Sequence, residues 1–190
     1  MKTGFVVAMM VLVLLGLAPR GDVYAQAVPD PDAALHAETV EAPAVRGLRS
    51  IVQRIEPISQ EQLVRRRIAQ MTFCLPQTVL GILFYAGLQL TGLVTDAATL
   101  NEVTVVEMPL PVGVSLGGFV FVGTPLLTEN VVRHEYGHVL QGYQHGPFYL
   151  LLEGATSLVQ AVVSIVSPSF AAGYYERWPE SEANELGGVR

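Results

Sequence analysis

The stretch Thr124-Pro125-Leu126-Leu127-Thr128-Glu129-Asn130-Val131-Val132-Arg133-His134-Glu135-Tyr136-Gly137-His138-Val139-Leu140-Gln141-Gly142-Tyr143 decides how this chain is read. Thr is favoured as a helix N-cap and Pro at the first helical position, so Thr124-Pro125 predicts a helix from Pro125 to about Gly142. Val132, Tyr136, Val139 and Tyr143 recur at helical spacing and predict its core-facing stripe. His134 and His138, four residues apart, fall one turn apart on a neighbouring face. At that spacing both imidazoles reach one zinc ion, and Glu135 lies beside any water bound to it. A shuffle of the chain would produce H-E-x-x-H in roughly one case in 200, so the motif is read as a metal site.

Before this helix, the alternation around Val103 and Val105 predicts a strand over Asn101 to Met108. Val112 to Val122 predicts a second strand, with Gly113, Gly117 and Gly118 marking a bulge or a close backbone approach. Further upstream, Ser59 with Gln62 three residues on forms a capping-box signature for a helix over 59–73, with Arg65-Arg66-Arg67 on a solvated face. The chain carries no charge from Ile68 to Thr95, and Thr78–Val94 is its apolar heart. That run is just long enough to span a bilayer and equally fits a buried helix, so membrane association stands as an option. After the motif, Gly146-Pro147 stops the helix, and Phe148–Val166 is again apolar but for Glu153 and Gln160. The predicted class is α+β: a small sheet packed on the H-E-x-x-H helix, with additional apolar helices.

At the N-terminus, Lys2 precedes an uncharged run from Phe5 to Ala18, and Val23-Tyr24-Ala25-Gln26-Ala27 gives small residues at A-x-A spacing. Residues 1–27 therefore read as a secretory signal peptide. The Pro- and Ala-containing stretch that follows assigns 28–58 to a flexible linker, leaving 59–190 as the folded domain. The chain is thus expected to be exported, to the periplasm or cell envelope. Without Lys2, Arg20 and Asp22 it has 9 basic and 16 acidic residues, net −7. It has no basic patch with interleaved aromatics, so nucleic acid is not an expected partner. Cys74 is the sole cysteine, which excludes an internal disulfide. The fold must be held by its apolar core, or by a metal.

A catalytic zinc takes three protein ligands and keeps a fourth position for water. His134 and His138 supply two. For the third, His145, Glu153, Glu176 and Glu180 are the candidates. The spacing from His138 to Gly142 and His145 is one residue longer than in the pattern H-E-x-x-H-x-x-G-x-x-H. On an unbroken helix His145 lies about 10 Å along the axis from His138, too far to share the ion unless Gly142 breaks the helix. Glu153 is a lone carboxylate in an apolar segment, where an unpaired charge is costly. If Phe148–Val166 crossed a bilayer once, Glu180 and the motif helix would lie about 30 Å apart on opposite sides. A single span there and a Glu180 ligand therefore exclude each other, and a buried core helix is the expectation.

Glu180-Ser181-Glu182-Ala183-Asn184, followed by Leu186-Gly187, resembles the E-x-x-A-D pattern of gluzincin metallopeptidases, in the branch of the membrane-associated heat-shock and CAAX-prenyl endopeptidases. His134-Glu135-x-x-His138 shares in that resemblance. Gly146-Pro147-Phe148-Tyr149-Leu150 adds a similarity to small uncharacterised bacterial H-E-Y-G-H proteins. The resemblance covers residues 101–190. It implies a zincin-like fold, one zinc held by His134, His138 and Glu180, and Asn184 supporting a motif histidine. It also implies a glycine-rich edge strand that pairs with an extended substrate. Position 184 is Asn where the pattern has Asp, so the imidazole partner brings no charge. The activity implied is hydrolysis of a peptide or protein substrate, with Glu135 as general base on a zinc-activated water. Tyr174, Tyr175, Arg177 and His145 are candidates to stabilise the oxyanion. A non-catalytic zinc-binding or membrane-associated envelope protein is the competing expectation.

Overall fold

Strands Val103–Met108 and Phe119–Gly123 are apolar but for Thr104 and Glu107, close to the pattern of strands buried on both faces. The computed structural model, which describes residues 47–189, places them side by side in parallel at the centre of a mixed four-stranded sheet. We label the elements α1 (Leu48–Val52), α2 (Gln60–Met71), α3 (Leu75–Leu90), β1 (Asp96–Leu100), β2 (Val103–Met108), β3 (Gly113–Leu116), β4 (Phe119–Gly123), α4 (Glu129–His145), α5 (Ala155–Val166), α6 (Pro168–Ala171) and α7 (Glu180–Gly187). Sheet order is β1-β2-β4-β3, with antiparallel hairpins β1–β2 and β3–β4 at the two sides. The class is α+β, as expected. The signal-peptide reading of residues 1–27 lies outside the described residues.

Register sets the layers. Val105 pairs with Val120, and both join Val122, Val132, Tyr136 and Val139 in one core beneath α4 and α1. Val106 pairs with Phe121, and these turn the other way, onto Phe84 and Leu88 of α3 together with Met108 and Leu116. Each such fully buried side chain contributes about 1.5–3 kcal/mol by leaving water. The predicted α4 stripe is thus its core face, with Tyr143 half-buried at the edge of the same cluster.

Several boundaries differ from the sequence reading. The linker assigned to 28–58 does not hold for its last residues: Leu48, Ile51, Val52 and Ile55 are buried in the core beneath α4, so they belong to the folded part. A five-residue helix is too short to show an apolar period. The Val112–Val122 strand is two strands, because Gly117 takes φ +57° and the chain reverses at Gly117-Gly118. Asp96–Leu100 pairs ahead of β2 through a turn at Asn101, whose φ of +53° Asn tolerates. The motif helix starts at Glu129, not Pro125. Thr128 caps it, accepting from the Val131 N–H at 3.2 Å, while the Thr124 hydroxyl bonds the Glu107 carboxylate at 2.8 Å. Gly142 does not break it, and it runs to His145.

Helix α2 starts at the expected Ser59–Gln62 capping box. Of the three arginines only Arg66 turns inward, to the buried Glu102 at 3.4 Å. Glu102 also accepts from the hydroxyls of Tyr143 at 3.0 Å and Tyr136 at 3.2 Å, behind the motif helix. The expectation of a buried core helix over Phe148–Val166 is corrected. The segment bends through a 3-10 turn (Gly146–Phe148) and a π turn (Leu150–Gly154) into α5, and Phe148, Leu151, Leu152, Val159, Val162, Ile165 and Val166 are exposed. On α2 and α3, Val64, Ile68, Met71, Val79, Ile82, Leu83 and Leu90 are exposed as well. Among the described residues no single helix is long and apolar enough to cross a membrane.

Candidate metal centre

Helix α7 begins just after the cis peptide Trp178–Pro179 and lies against the face of α4 opposite the core stripe. Two glycines set how close the helices come. A Cβ on Gly137 would lie 1.9 Å from the Ala183 carbonyl oxygen, and one on Gly187 would lie 2.1 Å from the Arg133 carbonyl oxygen. At this separation Glu180 and Asn184, four residues apart on one face of α7, both reach the motif histidines.

Glu180 Oε2 lies 3.1 Å from His134 Nε2 and 3.2 Å from His138 Nε2. All three side chains are buried, and their ligand atoms lie within 4.8 Å of one another. The outer nitrogen of each ring is engaged. His134 Nδ1 is 2.8 Å from Asn184 Oδ1, and His138 Nδ1 is 2.8 Å from Gln141 Oε1. Amide oxygens only accept, so both rings donate through Nδ1–H. Their Nε2 atoms then turn toward the carboxylate, which also accepts. Glu180 Oε1 is buried without a hydrogen-bond partner.

Acceptors gathered this way need a cation between them, either a proton or a metal ion. The structure shows the pull. Burial works against a charged His138, yet the Glu180 carboxylate outweighs it and pushes its pKa up to about 9. Burial likewise works against an ionised Glu180, yet His138 and His134 hold its carboxyl below the usual range. Zinc bonds to N and O are about 2.0–2.2 Å, and a tetrahedral site separates its ligand atoms by about 3.3 Å. The 3.1 and 3.2 Å separations and the N₂O donor set fit such an ion. The buried His134–His138–Glu180 group could hold a metal ion.

Glu135 points toward the sheet edge. Its Oε2 accepts from Ser115 Oγ at 2.7 Å, and a Cβ on Gly113 would fall 2.1 Å from its Oε1. The close approach suspected at Gly113 is therefore a passage of strand β3 over the motif Glu. Ser115 was not among the sequence candidates; only its position in the glycine-rich strand hinted at it.

The other third-ligand candidates lie elsewhere. His145 and Glu153 pair with each other, Nδ1 to Oε1 at 2.5 Å, and Glu153 is fully buried in the π turn. Burial raises the Glu153 carboxyl pKa. Glu176 is not part of the cluster. Of the oxyanion candidates, Tyr175 is edge-on to His134, with ring centroids 5.1 Å apart, and Tyr174 stacks edge-on behind it. Arg177 instead bonds the Phe170 carbonyl at 2.7 Å. Tyr149, which the sequence reading did not single out as a site residue, is buried where the charges of Glu135, Glu180 and Glu153 all act on it. Burial first and those charges next raise its phenol well above the ordinary value. No family model, curated protein or solved structure matches the chain.

Proposed function

We propose that this protein is an exported zinc-dependent peptidase with a zincin-like domain. The supporting observation is the meeting of His134 Nε2, His138 Nε2 and Glu180 Oε2 on one buried point, with Glu135 on the same helix. When bound, zinc lowers the pKa of a coordinated water and polarises a peptide carbonyl. His134, His138 and Glu180 would hold the ion; Asn184 and Gln141 keep the two rings in the Nδ1–H form. Glu135 takes a proton from the attacking water as its oxygen bonds to the carbonyl carbon, and returns one to the leaving amine as the C–N bond breaks. Ser115 orients the Glu135 carboxylate. Strand β3 is an edge strand, so an extended peptide can add to the sheet there, beside Glu135. Tyr175, edge-on to His134, is the phenol proposed to stabilise a developing oxyanion.

Chelator-sensitive cleavage of a mixed peptide library tests this reading. The parent should cleave, and Glu135→Gln should retain zinc while losing at least about 100-fold in rate. Equal cleavage by both would sink the mechanism.

Two observations favour the competing reading, a non-catalytic zinc-binding or membrane-associated envelope protein. His134, Glu135, His138 and Glu180 are at most 6% exposed, which leaves a substrate carbonyl little open surface by which to reach the ion. The charge-free helix α3 and the segment before α5 expose apolar side chains that would suit a lipid surface. Zinc-dependent stability without turnover would decide for it.

A further inference from the structure

Gln141, three residues beyond His138 on α4, belongs to no motif the sequence offers, yet it is completely buried and makes three hydrogen bonds. Its Oε1 accepts a hydrogen bond from His138 Nδ1–H at 2.8 Å. Its Nε2 donates at 2.8 Å to the Pro179 carbonyl and at 2.8 Å to Glu182 Oε2. Pro179 immediately precedes Glu180, and Glu182 follows it by two residues. Glu182 Oε2 is itself held by the Trp178 indole N–H at 3.0 Å.

Resting on the metal-centre reading, we propose that Gln141 is a positioning residue that couples two of the metal ligands. A side-chain amide can be turned either way. Here both acceptors, Pro179 O and Glu182 Oε2, lie on one side and require the NH₂ group to face them. The oxygen must then face His138. That fixes the His138 proton on Nδ1 and leaves Nε2 free to bind the ion. The same amide ties the ring to the segment that carries Glu180, so one side chain sets the orientation of His138 and the distance of Glu180 from it. Glu182 acts at one remove, as the second acceptor that, with the Pro179 carbonyl, sets which way the amide turns. His134 has a parallel but simpler arrangement, since Asn184 comes from α7 itself.

The experiment measures zinc affinity of the full chain by competition with a chromogenic chelator, for the parent, Gln141→Leu and Glu182→Ala. Loss of such a supporting partner costs about 10- to 100-fold in metal affinity, expected here for Gln141→Leu. Glu182→Ala, at a half-buried position, should lose less, because Pro179 still holds the amide. Val139→Ala serves as comparison: it cuts the core face of the same helix, so it should lower the melting temperature of the metal-free protein and leave zinc affinity at the parent value. The cobalt-substituted Gln141→Leu protein should also show altered d–d absorption, which a general loss of packing would not produce. Parent-like zinc affinity and cobalt spectra in both Gln141→Leu and Glu182→Ala would overturn the inference while leaving the metal centre standing. No zinc binding by the parent would remove the metal centre, and this inference with it.

Discussion

Gly137→Ala puts the account under strain at one methyl group. In a helix interior this exchange ordinarily stabilises by up to about 1 kcal/mol. At position 137 the new Cβ would sit 1.9 Å from the Ala183 carbonyl oxygen, a backbone atom of α7 that cannot swing aside. A carbon needs about 3 Å or more from such an oxygen, so α7 must move off α4 by about 1 Å. Overpacking of this kind costs about 1–3 kcal/mol, which reverses the sign of the ordinary effect. The movement also carries Glu180 and Asn184 away from the two histidines. Metal–ligand distances hold to about 0.2 Å, so a 1 Å displacement removes Glu180 from ligation. Urea unfolding of the metal-free protein should show the stability loss, and chelator competition should show zinc affinity falling by more than about 100-fold. Gly87→Ala, in α3 with nothing within 4 Å of the added Cβ, is the control and should stabilise. A Gly137→Ala protein as stable as the parent and equally avid for zinc would refute the claim that helix contact at Gly137 builds the site.

Asn184→Asp gives His134 a charged acceptor in place of a neutral one 2.8 Å away, so zinc affinity should rise about tenfold in the same competition assay. Glu102→Ala leaves the buried ends of Arg66, Tyr136 and Tyr143 without their shared acceptor, and should cost about 2–4 kcal/mol in urea unfolding. In the metal-free protein the His138 pKa stands above its unfolded value, so its contribution to stability is complete below about pH 6.5 and is lost as pH rises through about 9. Melting temperature of the metal-free protein should therefore fall between pH 7 and 9. Zinc binding at pH 7 should release about one proton, measurable by calorimetry in buffers of different ionisation enthalpy.

How much of this was legible in the sequence follows from the range of each interaction. The α2 capping box and the α4 core stripe were readable because cap and period are local signals, three and four residues apart. The start of α4 was misplaced because Thr124-Pro125 and Thr128 are both good caps, and the Thr124 hydroxyl was taken by Glu107, a residue 17 positions away. The β1 and β3 hairpins were missed or merged because Asn101 and Gly117 turn the chain within a residue or two, too short for a change of period to show. His134, Glu135 and His138 were readable from helical spacing alone. Glu180 and Asn184 came from resemblance, since nothing local ties a tail helix to a helix some 40 residues earlier. Gln141 and Ser115 lay beyond reach, because their role depends on contacts across α7 and across the sheet edge.

Whether His134, His138 and Glu180 form one metal centre is read from the zinc content of the purified protein. A three-ligand centre requires one zinc per chain in the parent and a large loss in Glu180→Ala. One zinc retained equally in both, or none in the parent, would contradict it.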